Sequence, residues 1–281
     1  MLRMIWLFII MIVVIIGYKA YENTKQVVIN KVELNQDEWT PNSSVTVLHL
    51  SDMHLENISI TSEQLYEKLK QEPIDIIAIT GDFLDRKRTI PKLVPYLDAL
   101  NKLKPCYGMY AVFGNHDYVL KDNDFASLKN MLEQHGCKTL QNEQCLLNIE
   151  GYPVNIIGID DYSTNRSDLE SSYQYVKTGY NLVLTHDPNV VLDMNHCSFD
   201  YLLSGHFHGG QFLYPKPYHL VKMGKLARMK MIKGLHRYND KPFYISEGLG
   251  QTGLNARIGS RPEITLHTLS VGKEMANAKI S

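Results

Sequence analysis

The sequence predicts an α/β protein: a four-layer α/β/β/α sandwich of two mixed sheets, preceded by an N-terminal transmembrane anchor helix. Three observations point to it. From Val45 onward short apolar runs alternate with helical segments, the pattern of a partly parallel sheet. Later apolar runs are joined through Glu150-Gly151-Tyr152-Pro153, a hairpin signal that calls for a second, mixed sheet. Several of the apolar runs end in clusters of Asp, Asn and His, and the ends of sheet strands are where α/β proteins bind ligands.

The first element is the N-terminal apolar run. Met4 to Tyr18 carries no charge, with Arg3 before it and Lys19 after it. A helix of that length is roughly 22 Å long, short of a bilayer core of roughly 30 Å. Snorkelling by the flanking basic residues would extend the span. No small-x-small cleavage site follows, so an uncleaved signal anchor is favoured over a cleaved signal peptide. The charges on the two sides do not decide orientation; short N-terminal anchors place the following domain outside the cytoplasm, and that is the expectation here. The chain then divides into the anchor (1–21), a juxtamembrane linker and first strand (22–44), the main domain (45–271) and a C-terminal tail (272–281).

Within the main domain, strands are expected at Val45–Leu50, Ile74–Thr80 and Gly108–Val112, and helices at Ser62–Gln71, Pro91–Leu103 and Asp122–His135. Cys145–Ile149 and Val154–Ile159 form the hairpin, followed by a helix near Asp168–Lys177. Strands return at Asn181–Thr185, Phe199–Ser204, Phe243–Ser246 and Glu263–Leu269. A chain of 281 residues with 44% hydrophobic and 21% charged residues builds one core of useful size. The formal net charge of −1 gives no global field toward nucleic acid, and no specific nucleic-acid partner is expected. The four Cys are widely spaced without a CxxC, which reads as core or surface thiols rather than a zinc site or a disulfide framework.

The polar clusters carry the chemistry. They are Ser51-Asp52-Met53-His54, Gly81-Asp82-Phe83-Leu84-Asp85, Gly114-Asn115-His116-Asp117, Thr185-His186-Asp187 and Ser204-Gly205-His206-Phe207-His208. Each follows an apolar strand, so neighbouring strands would bring them to one rim. Residues two apart on a strand point the same way, so Asp52 with His54, and His206 with His208, can reach one ion. A donor set of carboxylate, imidazole and amide without thiolate suits manganese, iron or zinc in an open site rather than a closed structural zinc site. One such His alone reads as a surface or core residue; coincidence would have to repeat at every strand end.

These motifs, DxH, GDxxD, GNHD, an isolated His and GHxH in that order from Asp52 to His208, resemble those of the calcineurin-like metallophosphoesterases, and most of all their bacterial, membrane-anchored branch. The tail residues Glu247-Gly248-Leu249-Gly250 and Arg261-Pro262-Glu263-Ile264 extend the similarity over nearly the whole main domain. The resemblance implies two divalent metal ions, one on Asp52, His54, Asp82 and His208 and the other on Asp82, Asn115, His186 and His206, with Asp82 shared. Two such ions clamp a phosphoryl group and lower the pKa of a bound water toward about 7. The implied reaction is attack of a metal-bridging hydroxide on a phosphate ester or diphosphate, with a lipid-linked substrate as one option. His116 would protonate the leaving group. Asp85 would orient His116, with a helix cap as its equal alternative. An anchored phosphodiesterase of soluble nucleotides or nucleic acid is the second reading, and a catalytically silent metal-binding module the third.

Four further residues have weaker claims. Arg86 would touch phosphate or simply be solvated, Asp117 is a structural turn residue, and Arg257 or Arg261 would reach the pocket or form salt bridges. Finally, no Asp or Glu occurs between Tyr201 and Asn239, while the stretch 216–237 holds Lys216, Lys222, Lys225, Arg228, Lys230, Lys233 and Arg237 among apolar residues. Such a stretch suits an anionic membrane surface or a polyanionic substrate as well as an ordinary solvated helix.

Overall fold

The computed structural model describes residues 2–34, 43–214 and 217–271. Residues 35–42 of the expected linker, Lys216 and the expected tail 272–281 lie outside the described residues. In chain order the elements are α1 (Leu2–Thr24), β1 (Val28–Glu33), β2 (Ser43–Leu50), α2 (Ser62–Leu69), β3 (Ile76–Thr80), α3 (Val94–Asn101), β4 (Met109–Val112), α4 (Asp122–Gln134), β5 (Cys137–Thr139), β6 (Glu143–Ile149), β7 (Tyr152–Gly158), α5 (Leu169–Tyr173), β8 (Tyr180–Leu184), β9 (Tyr201–Ser204), α6 (Lys225–Arg228), β10 (Gly234–Tyr238), β11 (Lys241–Ile245) and β12 (Glu263–Val271).

The strands form two mixed sheets of six, in the orders β1-β12-β2-β3-β4-β5 and β10-β11-β9-β8-β7-β6. In the first, only β12 and β2 run antiparallel. In the second, the outer pairs β10–β11 and β6–β7 are antiparallel and the inner strands parallel. The apolar runs explain this. Ile76-Ile77-Ala78-Ile79-Thr80 is buried along its whole length, as a central parallel strand covered on both faces must be. Val47, Ile76, Ala78 and Val112 from one sheet meet Ile156, Leu182, Leu184 and Leu203 from the other, and this is the middle of the sandwich. Leu65 and Leu69 of α2, Leu97 and Leu100 of α3, and Leu128 and Leu132 of α4 cover the outer face of the first sheet. Val190, Leu220, Leu226 and Phe243 lie in the core beyond the second. The expected four layers are therefore present.

Local chemistry sets the element ends. Thr61 opens α2 with a capping box, accepting from the Gln64 amide while the Gln64 side chain accepts from its own. The single helix expected over Pro91–Leu103 is instead a 3-10 turn at Lys87–Leu93 followed by α3. Pro91 falls inside the tight turn and Pro95 in the first turn of α3, where a missing N–H costs least. The helix expected to reach Lys177 ends at Tyr173, and Asn155 captures the Lys177 backbone through both its N–H and its carbonyl.

Two N-terminal features stand out. Helix α1 is longer than the apolar run and, at 23 residues or about 35 Å, long and apolar enough to cross a membrane. Residues 2–19 are all exposed, while Ala20 and Thr24 are buried against the domain. Strand β1 lies parallel to β12, so the sheet begins at Val28.

Candidate metal centre

Register places the polar clusters. Leu50 pairs with Ile79, and Ile79 with Ala111, so β2, β3 and β4 end together and Asp52, Asp82 and Asn115 leave from one edge. In the second sheet Leu184 pairs with Leu203, so His186 and the 205–208 turn leave from one edge as well. His186 Nδ1 donates to Thr80 O at 2.7 Å and joins the two edges. The chain must turn sharply at each end, and Asp52, His54, Asp82, His206 and His208 all have left-handed backbones, with φ between 36° and 73°. Non-glycine residues held so cost on the order of 1–3 kcal/mol each and cluster at functional sites. Ladder-like bonds hold them: Asp52 N to Gly81 O, His54 N to Asp82 O and Gly205 N to His186 O, each 3.0 Å. Gly114 serves by smallness rather than by a left-handed bend. A Cβ there would lie 2.3 Å from Asp82 Oδ1 and 2.7 Å from His186 Cγ.

The side chains converge. His208 Nε2 lies 3.3 Å from Asp52 Oδ1 and 3.3 Å from His54 Nε2. Asp82 Oδ2 lies 3.2 Å from His186 Nε2 and 3.6 Å from His54 Nε2, between the two expected ligand sets. His206 Nδ1 is 3.2 Å from His186 Nε2. Ligand atoms of Asp52, His54 and His208 form one group compact enough for an ion, and those of Asp52, Asp82 and His186 another. Asn115 Oδ1 is buried and has no hydrogen-bond partner among the described residues. An orphaned buried amide oxygen in the loop that follows β4 fits a cation, which would take the lone pair that no donor reaches.

The surrounding bonds aim the imidazoles. His186 Nδ1 donates to Thr80 O, and His54 Nδ1 to Asp85 Oδ1 at 2.8 Å, so both Nε2 atoms face the centre. Burial works against ionising Asp52, and the facing His208 and His186 overcome it, holding the carboxylate below its usual range. Burial opposes Asp82 likewise, and His186 and His54 hold it well below that range. His186, although burial lowers it, is held well above the ordinary imidazole range by Asp82 and Asp52. A divalent cation held at His186 Nε2 would compete with that proton. Manganese affinity measured by calorimetry is therefore expected to fall as pH falls below the raised His186 value, by about tenfold per unit for one proton released. Affinity constant from pH 8 to 5.5 would exclude His186 as a ligand.

Asp85 Oδ1 also lies 2.8 Å from His116 Nδ1. Burial lowers His116, but Asp85 and Asp82 raise it to about 9. Asp85 does not cap a helix: the following 3-10 turn has Arg86 at its N-cap position without a side-chain cap. Glu56, which sequence reasoning missed, accepts from the Asp85 amide at 3.0 Å and holds it in place. Asp117 accepts from the amides of Asp82, Phe83 and Gly114, each at 2.9 Å, and ties two ligand loops together. Asp117→Ala is expected to strand these buried donors and cost about 3–5 kcal/mol, read as a lower denaturation midpoint, with Asp117→Asn recovering part of it. A change under about 1 kcal/mol would show that the loops are held otherwise.

The remaining candidates fall elsewhere. Arg86 is exposed. The Arg257 guanidinium is fully buried, donates to the carbonyls of Glu247, Gly248, Gly250 and Arg261, and lies near enough to Asp52 and His208 for its charge to act on both; among the described residues it forms no salt bridge. Arg261 is half-buried, with Nη1 on Ser260 O. The basic stretch is no continuous helix but a 3-10 turn at Tyr218–Lys222, the one-turn α6 and the edge strand β10. Asn189 fixes it, donating to Met223 O and accepting from Leu226 N. A groove of about 600 Å³ opens at His206 between Tyr162, Asn165 and Asp193 on one side and Lys222 and Lys225 on the other. Asp160 and Asp161, beyond β7, were also missed, although they too follow an apolar run. Asp160 accepts from Tyr118 at 2.5 Å, and Asp161 Oδ1 is buried without a hydrogen-bond partner among the described residues.

At this edge two sheets deliver carboxylates, imidazoles and an amide, the donor set of a candidate metal centre. Residues 45–210 match the calcineurin-like phosphoesterase family, and the chain belongs to that family; it is a metallophosphoesterase. It is 65% identical to the uncharacterized metallophosphoesterase YkoQ of Bacillus subtilis (strain 168), over 90% of this chain and 94% of that protein. It is 24% identical to the phosphodiesterase YaeI of Escherichia coli (strain K12), over 78% of this chain and 80% of that one. Among solved structures, the phosphopantetheinyl hydrolase PptH of Mycobacterium tuberculosis aligns with a TM-score of 0.46 at 12% identity, covering 72% of this chain and 88% of that one.

Proposed function

We propose that the protein is a membrane-anchored, dinuclear-metal phosphohydrolase that cleaves a phosphate ester or diphosphate bond, with a lipid-linked phosphate as its substrate. The observation that carries this reading is the convergence of Asp52, His54, Asp82, His186, His206 and His208 on one edge, from which the loop holding the orphaned Asn115 Oδ1 also leaves. Asp52, His54, Asp82 and His208 would hold one ion, and Asp82, Asn115, His186 and His206 the other. Bound there, divalent cations such as manganese, iron or zinc supply Lewis acidity toward water and the phosphoryl oxygens. The residues do the rest. Asp82 and Asp52 keep their charge in a buried site because imidazoles face them. His54 and His186 are locked by Asp85 and Thr80 with Nε2 toward the centre. His116, set by Asp85, delivers a proton to the leaving oxygen. Helix α1 tethers the domain, which we place outside the cytoplasm.

A second reading, an anchored phosphodiesterase acting on soluble nucleotides, is favoured by the name of the Escherichia coli relative and by the polar groove at His206. A catalytically silent module ranks third, since each expected ligand position is filled. A panel of phosphomonoesters, nucleotide diesters and lipid diphosphates, turned over by the manganese-loaded full chain, separates them. Fast turnover of nucleotide diesters with none of lipid diphosphates would overturn the first reading.

A further inference from the structure

Helix α1 joins the domain at the edge that carries the metal centre. The Arg257 amide donates to Ala20 O at 2.9 Å, and Asn23 Nδ2 donates to Arg257 O at 2.8 Å. The Arg257 guanidinium grips the carbonyls of Gly248 and Gly250, and the Gly250 amide donates to Asp52 O at 2.7 Å. Direct contacts therefore run from the end of α1 through Arg257 and Gly250 to a ligand loop. The same loop pairs with the chain just past His208. Ile258 N donates to Gln211 O, Leu213 N to Ile258 O, and Gln211 Nε2 to Leu254 O, each at 2.8 Å. The two loops form one platform beside α1, and it presents apolar side chains to the outside: Leu254 and Tyr214 are each 69% exposed, with Val221 exposed nearby in sequence. Within its two segments the charge is one-sided, although Asp187 and Asp193 share the groove at His206 with Lys222 and Lys225. No Asp or Glu occurs in 201–239 or 248–262, while Lys222, Lys225, Arg228 and Lys230 are exposed.

Apolar tips in the same segments as lysine and arginine, continuous with a bilayer-length helix, fit the interface of an anionic membrane. We propose that the metal-bearing edge lies against the bilayer, with Leu254 and Tyr214 seated among the headgroups and Lys222, Lys225, Arg228 and Lys230 on anionic phospholipid. The phosphoryl group hydrolysed is then one presented at the bilayer surface, by a lipid headgroup rather than by a solute. This rests on the reading of α1 as a membrane span and of the centre as a phosphohydrolase.

The test uses the full chain in vesicles of phosphatidylcholine and phosphatidylglycerol, some containing brominated lipid. In a Trp6→Phe, Trp39→Phe background, which removes both native tryptophans, Leu254→Trp reports depth at the platform. Tyr175→Trp reports the opposite edge, because Tyr175 lies just before the start of β8 whereas His186 follows its end. Bromine at the upper acyl chain should remove about half of the emission added at 254 and leave that added at 175 unchanged. Equal, unquenched emission at both positions overturns the proposal. Separately, Leu254→Asp should slow hydrolysis of a lipid phosphate in the vesicles severalfold while leaving manganese-dependent hydrolysis of bis(p-nitrophenyl) phosphate unchanged. Equal slowing of both substrates would reduce Leu254 to a structural role and count against the docking. An unsubstituted protein with no activity on the soluble diester would sink the phosphohydrolase reading while the depth measurement stood.

Discussion

Asp82→Asn will strip the protein of metal and of activity while leaving it folded. Asp82 Oδ2 stands within 3.6 Å of both His54 and His186, and Oδ1 accepts the His116 amide at 2.8 Å. Asparagine keeps the shape and that one amide bond, so the loop survives. The charge that would draw a cation between the two imidazole groups is gone. Metal content by mass spectrometry is expected to fall at both positions, and turnover by on the order of 10³ or more, since nucleophile activation and charge neutralisation are lost together. Unchanged circular dichroism would show that the loss is local. Two tightly held ions in the variant would remove Asp82 from its shared role.

His116→Ala separates proton delivery from metal binding. The ring is not among the expected ligands; its Nδ1 is engaged by Asp85, and it packs edge-on against His54 with ring centroids 4.8 Å apart. Removing it should leave metal content near that of the parent and cut turnover of an alkyl phosphate ester by about 10²–10⁴. An aryl ester whose leaving group departs as a stable phenolate needs no proton, so its turnover should fall far less. Equal losses on both esters would point to positioning rather than acid catalysis. Loss of metal would make His116 a ligand. Asp85→Asn should fall between the two variants, since Asp85 holds His54 as well as His116.

Much of this site was legible because its chemistry is written locally. Each cluster follows a run such as Ile76–Thr80 whose burial is plain from composition, and register then aligns the strand ends. What stayed hidden depends on distant partners. Arg257 looked like a phosphate or salt-bridge residue because its acceptors are backbone carbonyls, which no side-chain pattern reveals. Strand β10 is an edge strand, exposed at Leu235 and Arg237, so its polar residues merged with the basic run. The one-turn α6 is pinned by Asn189, some 37 residues earlier. Helix α1 outlasts its apolar stretch because its last turn packs on the domain through Ala20 and Thr24 rather than being apolar itself. Glu56 bonds to the Asp85 amide from 29 residues away, without any motif.

The left-handed backbones at Asp52, His54, Asp82, His206 and His208 carry a consequence for evolution and engineering. At these positions the best residue for the chain and the best residue for the chemistry differ. Glycine or asparagine would relax the peptide, and neither replaces an imidazole or a carboxylate as donor. Selection for thermal robustness alone would therefore wear away the site first, giving sturdier and inert descendants. A programme of consensus or computational stabilisation should hold these five positions fixed and seek its gains among the helices on the outer faces.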